Sequence, residues 1–273
     1  MRHVAIALGL LLAVVPTAFG QEAPCVIPRM DQVDAHVRAT VTQSASRLDY
    51  RYLVENRPGA PKALIRFAVQ AFSAPGFLPT QVSPPNWEAR RAIADTAFYS
   101  WTTFEEPRGL PAGASAEGFG FTNADLPAIV AFLAWNDVEP PSFPRGMAPE
   151  SCEGDDIIEN SFKGTTIGPK PPSGPFVPIE FLNYLITLLH DSLRLGWIKV
   201  DGVHQSLLAK LIAAKRKLEA GDTQVAKDTL NAFLNEVRGV SCLEFSCRGN
   251  KPETSEAYAL LFFNGQFLWG RLP

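Results

Sequence analysis

Histidine is the first residue type to test for chemistry, because an imidazole can act as acid, base or metal ligand near neutral pH. His36, His190 and His204 are the histidines that follow the first twenty residues. Asp191 and Ser192 beside His190 complete the residue types of a hydrolytic triad, but neighbours along one helix do not face each other. The sequence contains neither G-x-S-x-G nor H-E-x-x-H. We therefore interpret the histidines as surface or packing residues and predict no catalytic residue.

A short acidic cluster is the candidate for metal binding. Glu153, Asp155 and Asp156 follow Cys152, and Glu159 comes shortly after them. Oxygen-rich loops can hold calcium in extracellular proteins, although the spacing here is not that of an EF-hand. We interpret the cluster as a solvated loop without a cofactor and keep calcium as the alternative. A carboxylate pair would also suit a glycosidase, but no second acidic element is identifiable as its partner.

Three aromatic residues are candidates for ligand contact, because exposed rings can stack on sugars or protein surfaces. Trp87 follows two prolines and an asparagine in a predicted loop and is the main candidate for an exposed binding aromatic. Trp101 and Tyr99 alternate on one face of a predicted strand, where they would form either a binding platform or part of the core.

The cysteines indicate an oxidising compartment. Cys25, Cys152, Cys242 and Cys247 form an even set, which is typical of disulfides in exported proteins, and three pairings are open. We favour Cys25–Cys152, which would join the start and the end of the first domain, together with Cys242–Cys247, which would close a short loop. A zinc site is the alternative, but no second Cys or His pair lies nearby at zinc spacing.

The first twenty residues have the pattern of a cleavable signal peptide. A basic start precedes an apolar run over 4–15, and Ala18 and Gly20 suit the −3 and −1 positions of a cleavage site. The alternative is a membrane anchor, but that run is shorter than the about 20 residues that cross a bilayer. We expect a secreted or periplasmic protein with no integral membrane span after cleavage. The net charge of −3 argues against nucleic acid and anionic membranes as partners.

Residues 21–167 are predicted to form an antiparallel β-sandwich. Short alternating or apolar runs are separated by proline and glycine clusters, which is typical of such sandwiches. Gly113, Gly118 and Gly120 are interpreted as turn glycines. The segment 125–127 would alternatively open a short helix. The predicted strands lie at 33–41, 50–54, 63–69, 97–102 and 128–135.

Residues 168–178 read G-P-K-P-P-S-G-P-F-V-P and are predicted to be a stiff proline-rich linker between two domains. Beyond it, apolar residues recur at helical spacing, which predicts a C-terminal four-helix bundle over 179–273. The residues at the predicted helix ends are of the types that favour caps: Asp201, Asp222 and Thr254 before helices, and Gly196, Gly221 and Gly239 after them.

Three segments of the helical region occur in a specific order: 206–211 (SLLAKL), 218–223 (LEAGDT) and 230–237 (LNAFLNEV). With the final helix, including Asn264, they resemble the FIMAH domain, a small helical module appended to secreted bacterial proteins. The resemblance covers roughly 178–272. It departs at 240–250, where two cysteines occupy what is usually a simpler connection between helices. It implies an accessory module that binds or positions a ligand and implies no catalytic residue. Residues 50–67 are similar, more broadly, to exported bacterial β-sandwich modules.

These features predict an exported, non-catalytic binding or scaffolding protein with a FIMAH-like accessory module. Its partner would be a carbohydrate or another extracellular protein. One alternative is a secreted hydrolase acting on polysaccharide, which requires two carboxylates in a cleft. Another is a structural component of a surface layer or matrix, which would self-associate. A binding module requires an exposed aromatic or apolar patch instead.

Overall fold

The structure is a computed structural model that describes residues 29–72, 80–91, 98–104, 108–136, 158–172, 174–245 and 251–273. None of the helices in these ranges has both the length and the apolar character needed to cross a membrane. The strands are β1 (Ala35–Ser44), β2 (Arg47–Asn56), β3 (Leu64–Gln70), β4 (Gln81–Val82), β5 (Glu88–Arg91), β6 (Phe98–Thr102), β7 (Ser115–Asn123), β8 (Leu126–Asn136) and β9 (Phe162–Lys170).

The strands form two antiparallel sheets. One sheet has the order β1-β2-β7-β4, and the other has the order β5-β6-β3-β8-β9. The five predicted runs correspond to β1, β2, β3, β6 and β8, so this part of the prediction is confirmed. Residue Leu126 already belongs to β8 and pairs with Lys170 of β9, so the alternative of a short helix at 125–127 is wrong. The strands β4, β5, β7 and β9 were not predicted.

An aromatic core joins the two sheets face to face. Tyr52 and Phe119 come from the first sheet, whereas Phe67 and Trp101 come from the second, and all four are buried. The ring centroids of Tyr52 and Phe67 are 5.8 Å apart, and those of Phe67 and Phe119 are 5.5 Å apart. Edge-to-face contacts at these distances stabilise a core beyond simple area burial. The predicted antiparallel β-sandwich is thereby confirmed.

Helices follow the sandwich as the periodicity predicts. They are α1 (Pro178–Arg194), α2 (Asp201–Glu219), α3 (Thr223–Val240) and a C-terminal helix made of α4 (Ser255–Tyr258), a π-helical turn (Ala259–Phe263) and α5 (Asn264–Arg271). Thr254 is the predicted N-cap, since its hydroxyl accepts a hydrogen bond from the Ala257 N–H. In contrast, Asp201 is the first residue of α2 rather than its cap, and α3 continues one residue past Gly239.

The segment 168–178 does not act as the predicted spacer. Strand β9 continues to Lys170, so the linker was predicted to begin too early. Beyond it, the C-terminal helix contacts the sandwich directly: the Ala39 N–H donates to Glu256 Oε1 at 2.6 Å, and Asn264 Nδ2 donates to the Pro127 carbonyl at 2.8 Å. Most buried apolar residues of the sheets and helices form one continuous cluster. The helices and the sandwich therefore share a core, and the proline-rich segment lies over their junction.

Candidate functional site

The three predicted ligand-contact aromatics lie in the sandwich core. Trp87 is 9% exposed, and its ring packs edge-on against Phe119 with centroids 4.9 Å apart. The prediction that Trp87 is an exposed binding aromatic is therefore wrong. Trp101 is fully buried, and its indole N–H donates to the Val82 carbonyl at 2.9 Å. Tyr99 is also buried, so these two residues form core rather than a binding platform.

Most of the predicted disulfide and calcium residues lie outside the described ranges. Cys242 is described, and it is buried and not a free thiol. Within the described ranges, no group of three or more His, Cys, Asp or Glu side chains could hold a metal ion. The predicted pairings and the calcium alternative stay predictions, because Cys25, Cys152, Cys247, Glu153, Asp155 and Asp156 are not described.

A pocket of about 210 Å³ lies where the sandwich meets the helices. Its walls are the start of β8, the proline-rich stretches 170–172 and 174–177, and the first turns of α1. Asn264 at the start of α5 completes the lining. We call this site the junction pocket. Its surface consists mainly of proline rings and aromatic side chains.

Aromatic packing holds the proline-rich wall in place. The Phe176 ring lies 5.8 Å from that of Phe181 in α1 and 5.7 Å from that of Phe267 in α5. The Arg271 guanidinium lies 4.3 Å from the centre of the Phe267 ring, a distance at which a cation and an aromatic face attract. Pro178 then begins α1, where the missing N–H of proline costs no hydrogen bond. The pocket wall is therefore preformed rather than dependent on a ligand.

Asn264 carries a buried, unpaired hydrogen-bond acceptor next to this pocket. The residue is 1% exposed, and its Nδ2 donates to the carbonyls of Pro127 and Leu260, each at 2.8 Å. Its Oδ1 has no hydrogen-bond partner in the described part of the chain. Leaving such a group buried and unpaired costs about 1–3 kcal/mol. Asn264 directly follows the π-helical turn, a feature that is frequent at functional sites.

The rim of the junction pocket carries exposed apolar side chains. Tyr184 is 39% exposed, and Val177 is exposed to a similar extent. Phe72 is also exposed and lies beside the pocket, because the Lys170 ammonium is 5.3 Å from the centre of its ring. Burial raises the pKa of the Tyr184 hydroxyl, as does nearby Asp191, so this hydroxyl stays neutral. The pocket and its rim together form a partly apolar surface.

The sequence reasoning did not find this site. It interpreted the prolines that form one wall as a spacer, and it included Asn264 only as part of the FIMAH resemblance. The run of prolines next to Phe176 and Phe181 was the available signal, since aromatic and proline side chains together suit a packed surface. No signal in the sequence indicated that the Asn264 Oδ1 would lack a partner.

A histidine pair joins α1 and α2, which the sequence reasoning also missed. The Nε2 atom of His204 is 3.0 Å from Nδ1 of His190, and His204 is buried. Burial lowers the pKa of His204, the proximity of His190 lowers it further, and Asp201 opposes both. The folded state therefore favours the neutral ring, so its contribution to stability is present above the unfolded pKa of 6.5 and is lost as the pH falls through the folded pKa.

Replacing His190 with alanine is expected to raise the pKa of His204, because one of the two causes that lower it is removed. An NMR titration of the imidazole signals measures this pKa directly. The matched control is His36→Ala, since His36 lies on β1 beside Glu55, and it should leave the His204 titration unchanged. A His204 pKa that stays the same or falls in His190→Ala would contradict the assigned role of the pair.

A buried carboxyl group lies at the other end of the helical region. Glu253 is 1% exposed, and its main chain bridges both Ile198 and Ser241. The Ser241 hydroxyl hydrogen-bonds to Glu253 Oε2, whereas Oε1 has no partner among the described residues. Burial raises the pKa of Glu253 to about 7, the Ser241 hydrogen bond opposes this shift, and the negative charge of Glu236 adds to it.

Comparisons with known proteins do not assign a family. No family model and no curated protein matches the chain. One similar solved structure is an uncharacterized protein from Nocardia farcinica described as having an immunoglobulin-like fold; it is 13% identical, with 43% of this chain and 94% of that chain covered and a TM-score of 0.27. Another is a chain of the type VI secretion system TssK-TssF-TssG baseplate subcomplex, 10% identical, with 85% and 86% covered and a TM-score of 0.18. Likenesses this weak show neither the fold nor the function of this chain.

Proposed function

We propose that this chain is an exported binding protein whose ligand site is the junction pocket. The observation that carries the proposal is a preformed pocket with proline and aromatic walls, three polar lining residues (Lys170, Glu180 and Asn264) and an exposed apolar rim. Pockets with apolar walls and a few convergent polar groups are the usual form of binding sites. Among the described lining residues, Glu180 alone carries a carboxylate. A hydrolase that acts through paired carboxylates would need two, so the pocket favours binding over this alternative.

The proposal includes a FIMAH-like four-helix bundle in the C-terminal part. It is supported by the burial of the apolar positions in two of the segments that carry the resemblance. The buried apolar residues are Leu207 and Leu211 in 206–211, and Leu230, Phe233, Leu234 and Val237 in 230–237. The apolar faces of α2 and α3 are thus turned inward, as packing of a helical module requires.

Export and disulfide formation are part of the same proposal. The signal-like pattern over 1–20 supports export. The buried Cys242, which is not a free thiol, and Cys247 five positions later support the short pairing. N-terminal sequencing of the exported chain should begin at Gln21, and mass mapping without reduction should find Cys25 joined to Cys152 and Cys242 joined to Cys247. A mature chain that retains residues 1–20, or reduced cysteines throughout, would contradict this part.

Replacing Tyr184 with alanine is expected to weaken ligand retention about fivefold or more, since truncating an aromatic side chain that contributes strongly to a binding site costs more than about 1 kcal/mol. Retention of the purified protein is measured on panels of glycans, cell envelopes and extracellular proteins. The control is Trp269→Ala, because Trp269 is 40% exposed, close to the 39% of Tyr184, and does not line the pocket. Equal retention of the wild type and the Tyr184 variant on every surface would overturn the proposed site.

A further inference from the structure

We infer that His190 and His204 form a proton-sensitive latch between α1 and α2, which is closed when both rings are neutral and opens when either ring gains a proton. The latch joins the C-terminal part of α1 to the first turn of α2. It does not depend on the proposed binding function.

The two imidazole rings meet across the interface between these helices. The distance from His204 Nε2 to His190 Nδ1 is 3.0 Å, which is the length of a hydrogen bond. Such a bond needs one donor and one acceptor, so only one of the two facing nitrogen atoms carries a hydrogen. His204 is buried, whereas His190 is exposed, so protons from the solvent reach the pair from the side of His190.

The other ring nitrogen of His204 determines which ring donates. This atom, Nδ1, is buried and has no hydrogen-bond partner among the described residues. A neutral imidazole carries one hydrogen, and a hydrogen on Nδ1 would be a buried donor without an acceptor. Buried N–H groups without a partner are rarer in proteins than unpaired acceptors. We therefore assign the hydrogen to Nε2 of His204, which donates to Nδ1 of His190.

A proton added to either ring disrupts this arrangement, because a charged imidazole carries hydrogens on both nitrogens. If His190 is charged, its Nδ1–H faces the Nε2–H of His204, and two donors oppose each other. If His204 takes the charge, or moves its hydrogen to Nδ1, it buries an N–H that has no acceptor. Each protonated form thus loses the hydrogen bond or buries an unpaired donor, so acid favours separation of the rings.

The groups around the pair set the direction of this response. Burial and the proximity of His190 lower the pKa of His204, and Asp201 in the first turn of α2 raises it. Asp191 and Arg194, which follow His190 on α1, pair with each other at 3.1 Å, so their charges offset. The net effect is a lowered pKa of His204. The latch is therefore closed above the unfolded pKa of 6.5 and opens as the pH falls through the folded pKa.

A long-range proton–nitrogen NMR spectrum of the imidazole rings tests the assigned tautomers in the wild-type chain at mildly alkaline pH. We expect His204 to carry its hydrogen on Nε2 and His190 to have no hydrogen on Nδ1. A hydrogen on Nδ1 of His204 would overturn the latch.

Hydrogen exchange at backbone amides measures the opening. The N–H groups of Trp197 and Ile198, in the connection between α1 and α2, donate to the Ser192 carbonyl at 2.9 and 3.1 Å. Protection factors correct for the intrinsic effect of pH on exchange. Those of this connection should fall about tenfold or more between about pH 8 and about pH 5, the range in which histidine changes charge. Protection within α3 should hold, since the opening is local. An equal fall in both regions would overturn the latch in favour of global destabilisation.

A double variant, His190→Asn with His204→Gln, should keep the latch closed at both pH values. The asparagine oxygen replaces Nδ1 as the acceptor, the glutamine amide nitrogen replaces Nε2 as the donor, and neither amide titrates. The matched control is His36→Asn on β1, which should respond to pH as the wild type does. A double variant that loses protection on acidification as the wild type does would overturn the latch. If the double variant does not fold, the exchange and NMR results on the wild type decide the outcome.

Discussion

Replacing Trp101 with alanine is expected to lower the free energy of unfolding by about 4 kcal/mol, the range for deleting a large aromatic side chain from a core. Trp101 is fully buried and stacks on Phe67 with ring centroids 5.5 Å apart. The substitution would leave a large cavity between the two sheets. It would also remove the donor to the Val82 carbonyl at the end of β4. Urea unfolding followed by circular dichroism measures the loss.

The control for this prediction is Trp269→Ala, the same substitution at a tryptophan that is 40% exposed. It should change the free energy of unfolding by less than about 1 kcal/mol, as is usual for surface positions. Trp269 lies 5.4 Å from the Lys227 ammonium, so a small loss is expected there. Similar losses in the two variants would contradict the assignment of Trp101 to the core and would restore it as a candidate ligand contact.

Replacing Glu253 with glutamine is expected to remove a pH dependence of stability worth about 3 kcal/mol. The pKa of Glu253 rises from 4.5 to about 7 on folding, so the folded state holds its proton more tightly. The stability that this proton contributes is fully present below pH 4.5 and is lost as the pH rises through about 7. Glutamine mimics the neutral carboxyl group at every pH. We therefore expect the variant to exceed the wild type in stability at mildly alkaline pH.

Urea unfolding at several pH values from mildly acidic to mildly alkaline tests this prediction through the difference between variant and wild type. His204 contributes a slope of the opposite sign, but it contributes equally to both proteins and cancels in the difference. The control is Glu219→Gln, an exposed position at the end of α2, which should leave the wild-type curve unchanged. A difference between Glu253→Gln and wild type that does not grow with pH would contradict the raised pKa.

Glycines within β7 explain why this strand escaped the sequence reasoning. Gly118 has a φ of +105° and lies where the pairing register shifts between Tyr52 and Leu53. Gly120 has no room for a side chain, since a Cβ there would lie 2.5 Å from the Tyr50 carbonyl oxygen. Glycine is depleted in strands and frequent in turns, so both were interpreted as turn residues. Gly113, at a φ of +82° in the turn before β7, is one for which that interpretation is correct.

Trp87 shows that a sequence pattern typical of a loop does not determine whether a side chain in that loop is exposed. Prolines and an asparagine before it predicted a loop, and a loop predicted exposure. The turn is present, but it folds Trp87 back onto Phe119 of the facing sheet. Local sequence reports that the chain turns there, whereas the position of a distant strand decides whether the ring reaches water.

Local sequence patterns were sufficient for five of the nine described strands and for the change from strands to helices along the chain. Alternation of apolar residues and a spacing of three to four along the chain arise from backbone geometry, so they indicate strands and helices without knowledge of the fold. Thr254 as an N-cap and glycine after α1 and α2 are local in the same sense.

What these elements enclose depends on contacts between residues that are far apart in the sequence. A periodic pattern reports that a face is buried, but not what covers it. Asn264 meets the Pro127 carbonyl across 137 positions of sequence, and the Ala39 N–H meets Glu256 across 217. These long-range contacts bring the proline-rich segment, α1 and the C-terminal helix together around the junction pocket. Both amide hydrogens of Asn264 take part in holding that arrangement, and its Oδ1 accepts no hydrogen bond from the described residues.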